Sequence, residues 1–394
     1  MDSNMRPNAT DADTILENVK EVSQKFARER KERQRRRELH QEDFDLLKEA
    51  GFNLMAVPVD QGGAYVGARQ SCRHLSEMLR ILAHGDPSVA LVASMHPAVI
   101  SAWLEVPEAP APYTKAWEDQ RRWVFDTAKE GHWWGTIISE PGTGGDPTKS
   151  KAPAVKDPNG DGYLITGQKH FGSGSGMTSF MITQALPEGE DSPDTFIFDM
   201  RGVPWDGSTG AKLIAPWDGQ GMTATQSHGM EFKNMPATRA AWPGQSARNM
   251  VRQALGQPGG LAFTSVIVGV IETAVETARA QLDGKRDSMK PFEQVEWARV
   301  EMESWLIQQA YEGAHRDVES GADAARSGLL CKETVAELAE SVMVRISKVI
   351  GGSAYSRSQP YGFWLEDVRA LGFLRPPWGF AFDRIISGAW SSRV

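Results

Sequence analysis

Between Trp133 and Phe232 the chain changes its hydrophobic period. Six short runs, Trp133 to Ser139, Gly162 to Phe171, Ser179 to Ala185, Asp194 to Met200, Ala211 to Trp217 and Gly229 to Phe232, are rich in β-forming residues and bounded by Gly, Pro, Asp and Asn. Strands this short and this closely spaced predict an antiparallel barrel or sandwich. The flanks read as helices. Before the strands come Thr14 to Arg37, Phe44 to Ala50 closed by Gly51, Arg69 to Ala83, Pro87 to Leu104 and Tyr113 to Lys129. Asp86-Pro87 is a helix start, with Pro in the first turn. After the strands, Phe263, Val266, Ile267, Val270, Ile271 and Ala274 repeat at the spacing of a buried helix face. Phe292 to Gly313, Ala322 to Ile350 and a short run from Phe380 to Trp390 follow. The class is α+β and multidomain: a helical segment over 12–129, a strand domain over 130–243 and a helical bundle over 244–394.

At 394 residues the chain can bury a large core. Its net charge of −8 disfavours a general nucleic-acid role. The basic block Arg28 to Arg37 is interspersed with Glu and reads as a solvated helix face. Cys72 and Cys331 have no metal or redox spacing, and the eight histidines show no paired-ligand spacing, so no metal site is expected. No apolar run is read as reaching membrane-spanning length, and Met1 to Asp11 is polar, so a cytoplasmic protein with no membrane partner is expected. Thirteen Trp are assigned mostly to packing. There is no P-loop and no Gly-x-Ser-x-Gly.

Two turns carry the chemistry. Ile138-Ser139-Glu140-Pro141-Gly142-Thr143-Gly144-Gly145-Asp146 follows one strand, and Gly167-Gln168-Lys169-His170-Phe171-Gly172-Ser173-Gly174 closes another. Gly142-Thr143-Gly144-Gly145 is not a dinucleotide fingerprint, because no βαβ unit surrounds it. The pair resembles the flavin-cradling strands of the acyl-CoA dehydrogenase superfamily, where Thr/Ser-Glu-Pro-Gly-x-Gly-Ser-Asp precedes Gly-x-Lys-x-Phe/Trp-x-Thr/Ser. Leu47 to Phe52 with Val57-Pro58 and Gly62-Gly63, Gly221 to Ser227, and Ile350-Gly351-Gly352-Ser353-Ala354-Tyr355 resemble further superfamily passages in the same order. The resemblance implies the acyl-CoA dehydrogenase-like fold: helical domain, antiparallel β-barrel, helical bundle. It implies FAD, or else FMN, held by Ile138, Ser139, Gly144, Phe171 and Ser173. Arg286 matches a pyrophosphate-binding arginine. Gly351, Gly352 and Ser353 match a loop that reaches a neighbouring subunit's cofactor, and a homotetramer is implied.

Where the superfamily keeps its catalytic carboxylate, the match fails. Counting from Asp367 in Glu366-Asp367-Val368-Arg369 places Arg375 at the position of the Glu, and the alternative position at Gly259-Gly260-Leu261-Ala262 also lacks one. An arginine is no base at neutral pH. The departure resembles the two-component flavin monooxygenases similar to dibenzothiophene monooxygenase. These take reduced flavin from a separate reductase and use oxygen through a flavin C4a-hydroperoxide, which needs a dry pocket rather than an α-proton base. The reading is a monooxygenase acting on a small aromatic or heteroatom-bearing molecule. Two alternatives stay open: a dehydrogenase or oxidase of a CoA thioester with an unusual base, and a non-catalytic flavin-binding scaffold. His96, His228 and Arg375 are the candidate catalytic groups. His170 is expected to point away from Phe171 by strand alternation.

Overall fold

The protein is described by a computed structural model covering residue 5 and residues 10–244 and 258–390, with backbone alone at 258–260. Five helices come first: α1 (Ala12–Arg28), α2 (Gln41–Glu49), α3 (Ala68–Gly85), α4 (Pro87–Leu104) and α5 (Thr114–Lys129). Seven strands follow: β1 (Trp134–Thr136), β2 (Pro153–Lys156), β3 (Tyr163–Gly172), β4 (Phe180–Pro187), β5 (Asp194–Asp199), β6 (Ala211–Ala215) and β7 (His228–Arg239). The chain ends in α6 (Pro258–Asp283), α7 (Pro291–Ser320), α8 (Ala324–Ile350), α9 (Tyr361–Phe373) and α10 (Trp378–Ala389).

The sheet closes on itself. β4, β2, β3, β7 and β5 pair in that order, and β5 returns to β4. β1 adds to β4, and β6 adds to β7. The expected all-antiparallel barrel is corrected in two places, because β1 and β2 both run parallel to β4. Each is separated from β4 by an excursion long enough to bring the chain back in the same direction. Alternation along β5 and β7 sends Phe196, Phe198, Met230 and Phe232 inward, and Phe198 stacks on Phe232 at 4.6 Å.

The largest core is shared by helices from both ends of the chain, with α1, α3 and α4 packed against α6, α8 and α9. Close approach decides one crossing: a Cβ at Gly269 on α6 would lie 2.0 Å from the Arg80 carbonyl oxygen of α3. Two helices, Pro87–Leu104 and Leu261–Asp283, are long and apolar enough to cross a membrane by length and composition, which corrects the earlier reading of the apolar runs. Inside the fold 83% and 78% of those windows are buried, so packing among the helices, and for Pro87–Leu104 also against β1, accounts for their apolar character.

The basic run departs from expectation as well. The helix stops at Arg28, and Arg30–Arg33 forms a separate turn. Arg33 is 5% exposed rather than solvated. Its guanidinium donates to Asp43 at 2.7 and 2.9 Å, to Asp86 at 3.1 Å and to Glu29 at 2.9 Å, and it covers the Phe26 ring. Buried charge is tolerated because the partners are carboxylates. Asp86 also caps α4 by accepting from the Val89 amide at 3.0 Å. The network therefore fixes the start of the helix that lines the cavity described next.

Candidate functional site

A cavity of about 920 Å³ lies between the barrel and the helices. Its walls come from α4, the turn after β1, the end of β3, the 217–227 segment and the α9–α10 connection. α4 contributes Leu91, Met95, Ala98, Val99 and Ala102, an apolar stripe at helical spacing. Ile138, Ser139, Gly144, Phe171, Ser173 and Arg375 all line this one cavity, from segments more than two hundred residues apart.

On the barrel side the two turns are tied together by charge. Lys169 is fully buried, and its ammonium donates to Glu140 at 2.8 Å, Ser150 Oγ at 2.9 Å and the Gln184 carbonyl at 2.6 Å. All three protons have acceptors. Glu140 in turn accepts from Ser150 Oγ at 2.6 Å and from the amides of Lys151 and Ala152 at 2.8 and 3.2 Å. Burial raises the Glu140 carboxyl, but Lys169, Ser150 and the Lys151 amide outweigh it and hold the group below its ordinary range. Glu140 lines the cavity as a committed anion.

The end of β3 breaks its alternation. The register slips between Lys169 and Gly172, and Phe171 has φ 58°, a rare conformation for an aromatic residue. As a result His170 also lines the cavity, contrary to the alternation argument. Phe171 is 64% exposed, a flat apolar ring offered to the cavity. Ser173 starts a chain of hydroxyls. Ser173 Oγ and Ser227 Oγ lie 2.8 Å apart, as do Ser227 Oγ and Thr225 Oγ1. Thr225 donates to the Met222 carbonyl at 2.8 Å. That last bond sets the direction: Ser227 donates to Thr225, and Ser173 donates to Ser227. Ser173 thus faces the cavity with free acceptor lone pairs and its proton already used.

The helical side supplies the other charges. Arg375 donates to Ser139 Oγ at 2.9 Å and has no carboxylate partner among the described residues, neither Asp383 nor Glu366. Burial pushes its guanidinium down to about 10. Glu366, a cavity carboxylate that counting from motifs did not single out, pairs with Arg369 at 2.8 Å. Behind the wall, Asp367 is 7% exposed and accepts from the Met222 amide at 2.6 Å. Desolvation pushes its carboxyl up to about 7, more than that hydrogen bond lowers it. The 221–222 backbone sits directly on α9, since a Cβ at Gly221 would lie 2.2 Å from the Glu366 carbonyl oxygen.

Several expected site residues lie elsewhere. His96 does not line the cavity. It is fully buried on another face of α4, where Nδ1 accepts from the Trp134 amide at 3.2 Å, and burial pushes it down to about 3, so it is a neutral core residue. His228 accepts from the Trp217 amide at 2.8 Å and is likewise lowered by desolvation; its neighbour Ser227 faces the cavity in its place. Arg286 sits on an exposed turn between α6 and α7, and Gly351, Gly352 and Ser353 sit on an exposed turn after α8. None of these four lines the cavity of this chain. Gly259 and Gly260 fall in the first turn of α6, where the backbone alone is described. No cluster of three or more metal-ligating side chains occurs among the described residues.

No family model matches the chain. A curated relative, acryloyl-CoA reductase (NADH) of Anaerotignum propionicum, is 20% identical over 336 residues, 83% of this chain and 81% of that protein. Among solved structures, the nitrososynthase of Micromonospora carbonacea var. africana superposes with a TM-score of 0.81 at 19% identity, over 100% of both chains. FMN-bound TdsC of Paenibacillus sp. A11-2 gives 0.76 at 17% identity, over 95% of this chain and 97% of that one. Methanesulfinate monooxygenase MsuC of Pseudomonas fluorescens gives 0.75 at 18%, over 95% and 96%. At such identities the likeness speaks for the fold alone, and that fold is the acyl-CoA dehydrogenase-like one that the sequence resemblance implies.

Proposed function

We propose that this chain is a flavin-dependent oxidoreductase, and that it acts as a monooxygenase on a small molecule held in the 920 Å³ cavity. The residues on the walls suit a flavin. Phe171 offers an exposed ring in a strained backbone, as functional sites often do. Gly144 has open space where a Cβ would stand, and Ser139 and Ser173 bring hydroxyls to the same wall. When bound, a flavin would supply the redox chemistry. The chain's own part is to seat it between Phe171 and the two turns, to exclude water with the α4 stripe, and to offer hydrogen bonds from fixed positions.

One observation favours oxygenation over thioester dehydrogenation. Both carboxylates on the cavity wall are occupied, Glu140 by Lys169 and Glu366 by Arg369, and the position that resembles a base carries Arg375. The superfamily's proton abstraction uses a carboxylate within hydrogen-bond reach, and neither cavity carboxylate is unpaired. FMN in the TdsC neighbour supports FMN as one form of the cofactor; FAD is the form implied by the Gly351 to Tyr355 turn. Delivery of reduced flavin by a separate reductase belongs to the same reading. So does a homotetramer, supported by apolar side chains left exposed on α7 (Phe292, Met302, Trp305) and near α10 (Phe382, Ile386, Trp390). A division at 12–129, 130–243 and 244–394 remains part of the proposal.

The test is to load the protein with FMN or FAD, reduce it anaerobically and mix it rapidly with oxygenated buffer. A transient absorbing species between reduced and oxidised flavin supports the monooxygenase. Reoxidation in a single slow step moves the reading to the CoA-thioester alternative. That second reading has its own support in the acryloyl-CoA reductase relative and in Glu366, whose single cationic partner Arg369 is near the surface. Anaerobic bleaching of the flavin by an acyl-CoA would favour it. A non-catalytic scaffold is disfavoured by a cavity that is open rather than filled.

A further inference from the structure

The charges on the cavity wall do not balance. Glu140 is matched by Lys169 at 2.8 Å and Glu366 by Arg369 at 2.8 Å. Arg375 remains, half-buried, with one neutral partner, the Ser139 hydroxyl at 2.9 Å. Its other guanidinium donors have no protein acceptor among the described residues. Burial first, and the nearby Arg375 charge in addition, lower the proton affinity of Lys169, but Glu140 matches that cation, so the unmatched positive charge is the one on Arg375. The surrounding surface is apolar: Met95, Val99, Ile138 and Ile182 share the cavity with Arg375. A guanidinium held in such a place without a counter-charge is costly unless a ligand supplies one. Its planar fork matches a two-oxygen anion.

We propose that Arg375 and Ser139 form an oxyanion subsite, and that the molecule filling the cavity is a monoanion whose carboxylate or sulfinate group lies against the Arg375 guanidinium while its apolar body lies along α4. This rests on reading the cavity as the substrate's site. Ser139 Oγ, which accepts from Arg375, keeps its own proton free to donate to the second oxygen of such a group. Arg375 takes no proton in this role; it orients and selects by charge.

The experiment is calorimetric titration of the full-length protein, flavin-free and flavin-loaded, with benzoate, benzenesulfinate and the neutral isostere benzamide. The expected result is saturable binding of the anions, at least tenfold tighter than benzamide. Arg375→Gln should weaken the anions at least tenfold and leave benzamide within twofold, while Arg375→Lys recovers part of the loss. Equal binding of benzoate and benzamide, absence of saturable anion binding, or an unaffected Arg375→Gln variant would overturn the subsite. An Arg375→Gln variant that loses affinity for reduced flavin but not for benzoate would assign the anion to the cofactor and also overturn it. If the anions bind as expected and no flavin does, the functional reading fails while the subsite stands. A denaturation midpoint for each variant confirms that it is folded.

Discussion

The cavity has two charged walls that treat a cation in opposite ways. On the barrel wall, Lys169 spends all three protons on protein acceptors and holds two turns together. On the helical wall, Arg375 has one hydroxyl and otherwise faces the cavity. The first arrangement is complete without a ligand and reads as structure. The second is incomplete and reads as recognition. Charge type alone does not distinguish them; counting acceptors does.

The sharpest way to break this contrast is at Lys169. Lys169→Met leaves the Glu140 carboxylate without its cation, and loss of about 3–5 kcal/mol is expected by urea unfolding. A loss under about 1 kcal/mol, the scale of an exposed pair, would mean the clamp is solvent-like. Asp367 comes next. Its carboxyl is raised to about 7, so the folded state holds a proton that the unfolded state releases near 4. Stability from this group is present below pH 4 and is lost as pH rises through 7, by up to about 4 kcal/mol. Asp367→Asn removes that slope, so the variant should gain on the wild type between pH 4 and pH 8; an equal difference at both ends would contradict the assignment. Ser227→Ala interrupts the hydroxyl chain, and about 1–3 kcal/mol is expected because Thr225 and Ser173 each lose a buried partner. The smallest effect is expected at Arg375. Arg375→Gln should leave the unfolding free energy within about 1 kcal/mol or raise it, because no protein ion pair is lost. A large destabilisation there would make the two walls alike.

Much of the framework was legible in the chain. Asp86-Pro87 starts α4 as expected, and Gly51 takes the left-handed conformation after α2. Six strands fall where the period changes, although β1 is only three residues long and β7 runs on to Arg239. β2 escaped notice because Pro153 opens it and three of its four residues are exposed. α9 escaped notice too: Gly362 and Gly372 interrupt it. The turns carrying Ser139 and Phe171 announced themselves through Gly and Pro, which act locally. What stayed hidden was set by distance. Nothing near Glu140 in sequence points to Lys169, twenty-nine residues away, and nothing near Arg33 points to Asp86. His96 and His170 exchanged expected places because helix face and strand register were decided by packing and by one residue with positive φ.

The hydroxyls of Ser173, Ser227 and Thr225 have a consequence for molecular discrimination. Their protons point one way because the Met222 carbonyl can only accept. A visiting group that brings a proton meets a ready lone pair at Ser173. A visiting group that needs a proton must turn three rotors at once and take from the Met222 carbonyl one of its three donors, leaving it those of Trp217 and the Thr225 amide. The wall therefore works as a one-way valve for hydrogen-bond polarity, and its setting is held not at the surface that the visitor touches but at the far end of the row.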